Sequence, residues 1–277
     1  MRERAISAVV IAAVVIVFFL LGQPWLTFGL AALSLLAAIE VFRLLPAAGF
    51  PVASLPGAVL PPILVLAMGL EFVDAGWLAV YVAAVLIILA IDALRRPEVR
   101  DGFLVWMGGS FGAVYAAMLA FMAGVLAVAP DVPDDALLGG TFLSASQTWL
   151  LVLVLTVWSF DTFAYLSGRT FKRGRFLNHI SPNKTWSGVI GGTVAAIIVA
   201  GALAWAAGQE LWGGLILGQL VAIAGQAGDV AESMLKRTAG AKDSSNLMPG
   251  HGGILDRTDS FLFASPVVYA YLLIVGA

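Results

Sequence analysis

Between Gly228 and Ser260 the chain brings together hard anions, cations and a flexible turn. Asp229, Asp256 and Asp259 stand at the mouths of apolar stretches and are hard oxygen ligands suited to Mg2+. Lys236, Arg237, Lys242 and Arg257 offer cations for phosphate oxygens, and an arginine can bind two oxygens at once. The turn Pro249-Gly250-His251-Gly252-Gly253 lets backbone N–H groups approach an anion. An apolar helix is expected just beyond it, and its N-terminus would add a positive end. Carboxylates, cations and a glycine-rich turn together suit a Mg2+-nucleotide.

A second cluster lies upstream. Asp161 interrupts an apolar stretch in Trp158-Ser-Phe-Asp161-Thr-Phe-Ala-Tyr165-Leu-Ser-Gly168-Arg169. A carboxylate there is costly and is expected to face a bundle interior or a wet cavity. The loop Ser181-Pro182-Asn183-Lys184-Thr185-Trp186-Ser187-Gly188 follows, rich in hydroxyls and leading into another apolar helix. It is a further place to hold phosphate at a helix N-terminus.

The elements that carry these residues are dictated by composition. Of 277 residues 61% are apolar and 12% charged, against about 45–50% and about 25% in soluble domains, and the mean hydropathy is +0.97. One soluble core of this size cannot hide that excess, so the chain reads as an integral membrane protein. Its apolar stretches are continuous rather than alternating, which predicts helices and not a barrel. With no cysteine there are no disulfides or thiolate metal sites.

A helix needs about 20 apolar residues to cross the hydrocarbon core. That yardstick predicts an all-α fold with about nine spans: 5–22, 25–45, 55–71, 76–92, 103–129, 148–167, 188–207, 211–228 and 258–276. The first is expected to be a span and not a cleaved signal, since no small-x-small site follows and another apolar stretch begins at once. Nine spans place all fifteen lysines and arginines on the side of the N-terminus, and only acids (Glu71, Asp74, Asp131, Asp134, Asp135 and Glu210) on the other. Basic residues collect on the cytoplasmic side, so the N-terminus is expected in the cytoplasm and the C-terminus outside. Residues 1–147 form an N-terminal region of about five spans with little polar chemistry. Residues 148–277 form a C-terminal region of about four spans, with cytoplasmic loops at 168–187 and 229–257 that hold nearly all the candidate residues. The run Arg169–Arg175 reads first as charge near anionic lipid. Glu40 and Asp92, near cytoplasmic span ends, are expected to pair with nearby arginines.

The pattern Ser233-x-x-Lys236-Arg237-x(4)-Lys242-Asp243-x(5)-Pro249-x-His251-Gly252-Gly253-x-x-Asp256-Arg257-x-Asp259 closely resembles the signature of the phosphatidate cytidylyltransferases. Upstream, Asp161-x-x-Ala164-Tyr165-x-x-Gly168 and Ser181-Pro182-x-Lys184-Thr185 match that family's other motifs in order. Met248 stands where Leu, Ile or Phe is usual, and Ser187 where an acid is common. The resemblance covers 158–260 and implies CTP + phosphatidate → CDP-diacylglycerol + pyrophosphate, for phospholipid biosynthesis. It implies catalytic roles for Asp229, Ser233, Lys236, Arg237, Lys242, Asp256 and Asp259. Substrate contacts are implied for Asp161, Tyr165, Ser181, Lys184, Thr185, Asp243, Asn246, His251, Gly252, Gly253 and Arg257. Mg2+ is the implied cofactor, on Asp229 and Asp256, with a second metal or a monovalent cation such as K+ left open. The implied partners are CTP, phosphatidic acid and membrane lipids and no nucleic acid, a homodimer is allowed, and the expected place is the inner (plasma) membrane of a bacterium. The other readings are a cytidylyltransferase for an ether or isoprenoid lipid phosphate, which a substrate panel separates, and a secondary transporter. Against transport, the polar residues cluster at one face and no inverted repeat is visible.

Overall fold

The computed structural model describes residues 13–52, 54–73, 76–248, 250 and 252–275. A helical stretch over 13–21 precedes nine helices among the described residues. They are α1 (Trp25–Ala47), α2 (Ser54–Gly69), α3 (Trp77–Leu94), α4 (Val99–Ala117), α5 (Ala120–Val128), α6 (Ala145–Phe171), α7 (Trp186–Ala206), α8 (Leu211–Thr238) and α9 (Leu255–Val275). No strand occurs among the described residues; the β-type pairing there is two isolated bridges, Arg175 with Thr185 and Met248 with Gly252. Seven segments among them are long and apolar enough to cross a membrane: α1, α3, α4 with α5, α6, α7, α8 and α9. The chain is an all-α membrane protein, as its composition predicts. Of the stretch expected as the first span, 5–22, residues 5–12 lie outside the described residues and 13–21 are helical.

Three elements differ from the expected spans. α2 has 16 residues and carries Pro61 and Pro62, so it is shorter than a full crossing. The apolar stretch 103–129 breaks at Met118 and Leu119, where the ladder tightens to Met118 N–H on the Tyr115 carbonyl and Leu119 N–H on the Ala116 carbonyl. α8 runs ten residues past the expected end at 228, to Thr238. It stops in a Schellman motif: Gly240 takes φ +68°, its N–H bonds the Arg237 carbonyl and the Ala241 N–H bonds the Lys236 carbonyl.

The chain divides into two compact units, and the units do not follow its linear halves. One contains residues up to 124 together with 234–258; the other contains 125–233 together with 259–277. In the first, α1 packs on α2 and α4, and α4 on α3. Phe42 is the large side chain at that crossing, 1% exposed. A Cβ at Gly57 would fall 1.9 Å from its ring, so the close approach of α1 and α2 needs glycine there.

In the second unit α6 and α7 cross through small residues, the usual solution where lipid supplies no hydrophobic drive between helices. Gly188 and Gly192 form a Gly-x-x-x-Gly pair. A Cβ at Gly188 would lie 2.8 Å from the Ala164 carbonyl oxygen, and one at Gly192 2.7 Å from that of Phe160. These contacts are with backbone, which cannot move aside. Gly192→Leu is therefore expected to cost about 3 kcal/mol or more by overpacking, read as loss of the monodisperse peak in detergent size exclusion. The outer face of α7 exposes Ile190, Val194 and Ile198 at four-residue spacing, with Trp186 and Trp205 exposed near its ends. That is an apolar stripe with aromatic anchors, as a helix in lipid requires.

Candidate functional site

The motif residues fall into one cluster in each unit. In the unit of α1–α4, Lys236 in the last turns of α8 pairs with Asp256 in the first turn of α9, Nζ to Oδ1 at 2.5 Å. Both side chains are about 10% exposed. The other oxygen, Oδ2, accepts from the Ser244 N–H at 2.8 Å, the Ser244 hydroxyl at 2.7 Å and the Gly253 N–H at 2.8 Å. A buried ion pair is stable only with its remaining lone pairs satisfied in this way.

Beside it is a carboxylate that the sequence reading paired with arginine. Glu40, from α1, accepts from the Ser244 and Ser245 hydroxyls and from the N–H groups of Ile254 and Leu255. Asp92 does behave as expected, pairing with Arg96 at 3.6 Å. The N–H groups at the start of α9, expected to hold substrate phosphate, are thus held by the protein's own carboxylates, Glu40 and Asp256. Gly252 sits at φ +81°, and its carbonyl accepts from the Met248 N–H at 2.9 Å. Pro249 and His251 lie outside the described residues.

The other motif residues here are placed as follows. Ser233 is buried. Arg237 is exposed and donates from Nη1 to the Ala241 carbonyl at 2.8 Å, tying down the end of α8. Lys242, Asp243, Asn246 and Arg257 are exposed, within reach of a soluble ligand.

In the second unit Lys184 meets Asp229 of α8, Nζ to Oδ2 at 2.6 Å, with side chains 18% and 31% exposed. Asp161 of α6 accepts from the Ser260 hydroxyl and feels the charges of Asp229 and Lys184. Asp259 Oδ1 accepts from the Ser260 N–H at 2.7 Å. Lys184 is presented by a short hairpin. The Phe176 N–H bonds the Lys184 carbonyl and the Trp186 N–H bonds the Gly174 carbonyl, while Phe176 packs edge-on against Trp186 at 4.8 Å. Ser181 contributes its carbonyl to the Lys184 N–H at 3.2 Å. Thr185 caps α7, accepting from the Gly188 N–H at 3.1 Å. The first N–H groups of α7 are therefore also used within the chain: Ser187 donates to the Arg173 carbonyl. Ser187, where an acid is common in the family, receives the Arg173 N–H at 3.2 Å and shares a hydrogen bond with Thr185. Tyr165 accepts from Arg169 at 3.0 Å.

Each cluster holds two carboxylates to one ammonium: Glu40 and Asp256 with Lys236, Asp161 and Asp229 with Lys184. Hard oxygens with a surplus of negative charge fit a hard cation that brings phosphate ligands with it. Among the described residues no three acids or histidines come together as a metal cage. The protein's share would be one or two carboxylates completed by phosphate and water, the ordinary arrangement for Mg2+.

Comparison with known proteins agrees with these motifs. The family model described as the cytidylyltransferase family matches residues 2–275. The phosphatidate cytidylyltransferase of Brucella abortus is 44% identical over 128 residues, which are 45% of this chain and 46% of that protein. The one from Synechocystis is 44% identical over 133 residues, 46% of this chain and 45% of that protein. The one from Haemophilus influenzae is 37% identical over 168 residues, 58% and 56%. The chain spans about half the length of the curated relatives it matches.

Proposed function

The chain belongs to the cytidylyltransferase family, and we propose that it transfers CMP from CTP to phosphatidic acid, giving CDP-diacylglycerol and pyrophosphate. The observation that carries this reading is the meeting of the motif residues Lys236, Gly253 and Asp256, with Ser244 from the stretch between them, in one hydrogen-bonded cluster. Motif spacing kept for another purpose would not require that convergence.

A phosphate oxygen of phosphatidate attacks the α-phosphorus of CTP. The bond from that phosphorus to the oxygen leading to the β-phosphate breaks, and pyrophosphate leaves with the electron pair. Both substrates are anions, so their repulsion is the first barrier. Lys236, Arg237 and Lys242 hold the triphosphate or the lipid phosphate against that repulsion. The attacking phosphate is already largely ionised near pH 7, so positioning and electrostatics supply most of the rate without a strong general base. Asp256 in one cluster and Asp229 in the other are each a carboxylate that would ligate Mg2+, which when bound would lower the repulsion and stabilise charge on pyrophosphate.

The site is placed at the cytoplasmic face of the inner membrane, where nucleotides are available. The one-sided distribution of lysine and arginine that nine crossings would give supports that placement. Phosphatidate enters sideways from that leaflet, its acyl chains staying in lipid. The test follows labelled CTP into a lipid-soluble product with protein purified in detergent, with phosphatidate and Mg2+ each present or omitted. A lipid-linked CDP product that needs both is expected. A preparation that is folded yet makes none, across phosphatidate, ether-lipid and isoprenoid phosphates, would sink the reading.

A further inference from the structure

Glu40 is an ionisable residue in an apolar helix and is 2% exposed. A charge so placed is costly unless its lone pairs find donors. Here Oε1 accepts from the Ser245 hydroxyl at 2.6 Å and the Ile254 N–H at 3.0 Å. Oε2 accepts from the Ser244 hydroxyl at 2.8 Å and the Leu255 N–H at 2.7 Å. One carboxylate thus fastens both ends of the 244–255 segment onto α1. Its two backbone donors belong to the N-terminus of α9, where an anion is favoured.

The same segment reaches Asp256. The Ser244 hydroxyl lies between Glu40 Oε2 at 2.8 Å and Asp256 Oδ2 at 2.7 Å. It has one proton to offer, so its setting links the two carboxylates. Gly253 closes the arrangement from the other side. A Cβ there would fall 2.1 Å from Ser244 Oγ and 2.4 Å from Glu40 Oε2. The contact closes only on bare backbone.

We propose that Glu40 is a positioning residue for the transfer site, holding Ser244 and the first turn of α9 so that Asp256 is set against Lys236. The proposal rests on the reading that the Lys236–Asp256 pair serves CMP transfer. It differs from a purely structural anchor in what a variant loses. An anchor lost would lower the yield of folded protein and leave turnover per folded molecule intact. A positioning residue lost lowers turnover in molecules that are still folded.

The experiment compares full-length wild type with Glu40→Gln, Glu40→Asp and Ser244→Ala. It reads kcat and KM for CTP per folded molecule, and amide hydrogen exchange over 244–255. Glutamine keeps the size of the side chain but turns an NH2 toward two of the four donors. The expected result is a fall in kcat of roughly 10–100-fold, the range seen when supporting partners of a site are removed. KM for CTP should stay within about twofold, with faster exchange over 244–255. Aspartate, one methylene shorter but still charged, should recover part of the loss. Unchanged kcat per folded molecule with wild-type exchange overturns the proposal. So does a loss of folded yield with kcat intact. If Glu40→Gln does not accumulate, Ser244→Ala takes its place, and unchanged kcat in that variant is equally fatal. A wild type that transfers no CMP defeats the functional reading instead; the exchange arm then decides alone, wild-type protection in Glu40→Gln overturning the clamp and lost protection supporting it.

Discussion

Asp256→Asn should lower CMP transfer by roughly a thousandfold while leaving the protein folded. The substitution keeps shape and removes charge. Three donors converge on Oδ2: the Ser244 N–H, the Ser244 hydroxyl and the Gly253 N–H. The asparagine oxygen must stay with them, which turns its NH2 toward the Lys236 ammonium. Two donors then face each other where an ion pair at 2.5 Å stood. Removing one partner from a buried pair costs about 3–5 kcal/mol. If most of that falls on the transition state, the rate drops by roughly 10²–10⁴. The helix itself should hold, since Leu262, Val268 and Leu272 of α9 are fully buried. The measurement is turnover of labelled CTP with phosphatidate, beside the melting temperature in detergent. Lys236→Met should give a similar loss, and the double variant no more than either alone, because both singles break one pair. Turnover within tenfold of wild type in a folded Asp256→Asn would remove the pair from the mechanism.

The membrane helices were largely legible because an apolar run of membrane length has few other solutions. Their ends were less so, for a physical reason. Counting apolar residues ends α8 near 228, where Asp229 begins a polar stretch, but a helix ends where its last carbonyls are capped. Gly240 after Lys236 and Arg237 is such a stop signal, and it lies at the observed end. The break between α4 and α5 falls at Met118 and Leu119 with neither proline nor glycine beside it, so nothing local announced it.

The site shows the same division. Residue types and spacing between 233 and 259 pointed to the Lys236–Asp256 region, and both residues meet there. Glu40 was visible as an acid in an apolar helix, but its partners lie 204 to 215 positions away in the chain. Arg43, three residues off, was the partner that local reading could offer. The two helix N-termini expected to cradle phosphate already have their N–H groups engaged, at α9 by Glu40 and Asp256 and at α7 by Thr185 and loop carbonyls. A glycine-rich turn before a helix signals that an anion belongs there. It does not say whether that anion is a ligand or the protein's own carboxylate.

The Lys184–Asp229 pair separates those two cases by experiment. Its Nζ–Oδ2 distance is 2.6 Å, with the Lys184 Nζ itself buried although the two side chains are 18% and 31% exposed. A tie that merely joins the 172–185 hairpin to α8 works with its charges in either order. A site that needs a carboxylate on α8 and a cation on the hairpin does not. Lys184→Met and Asp229→Asn are each expected to lower kcat/KM by roughly 100-fold or more, the usual loss when one electrostatic group aimed at developing charge is removed. The swap, Lys184→Asp with Asp229→Lys, rebuilds the attraction. It should restore melting temperature and leave transfer as low as in the single variants, because Asp161 would then face an ammonium on α8 and the hairpin would present an acid to the phosphates. Transfer within tenfold of wild type in the swap would make the pair a structural tie, and would move the substrate phosphates toward the exposed Lys242 and Arg257.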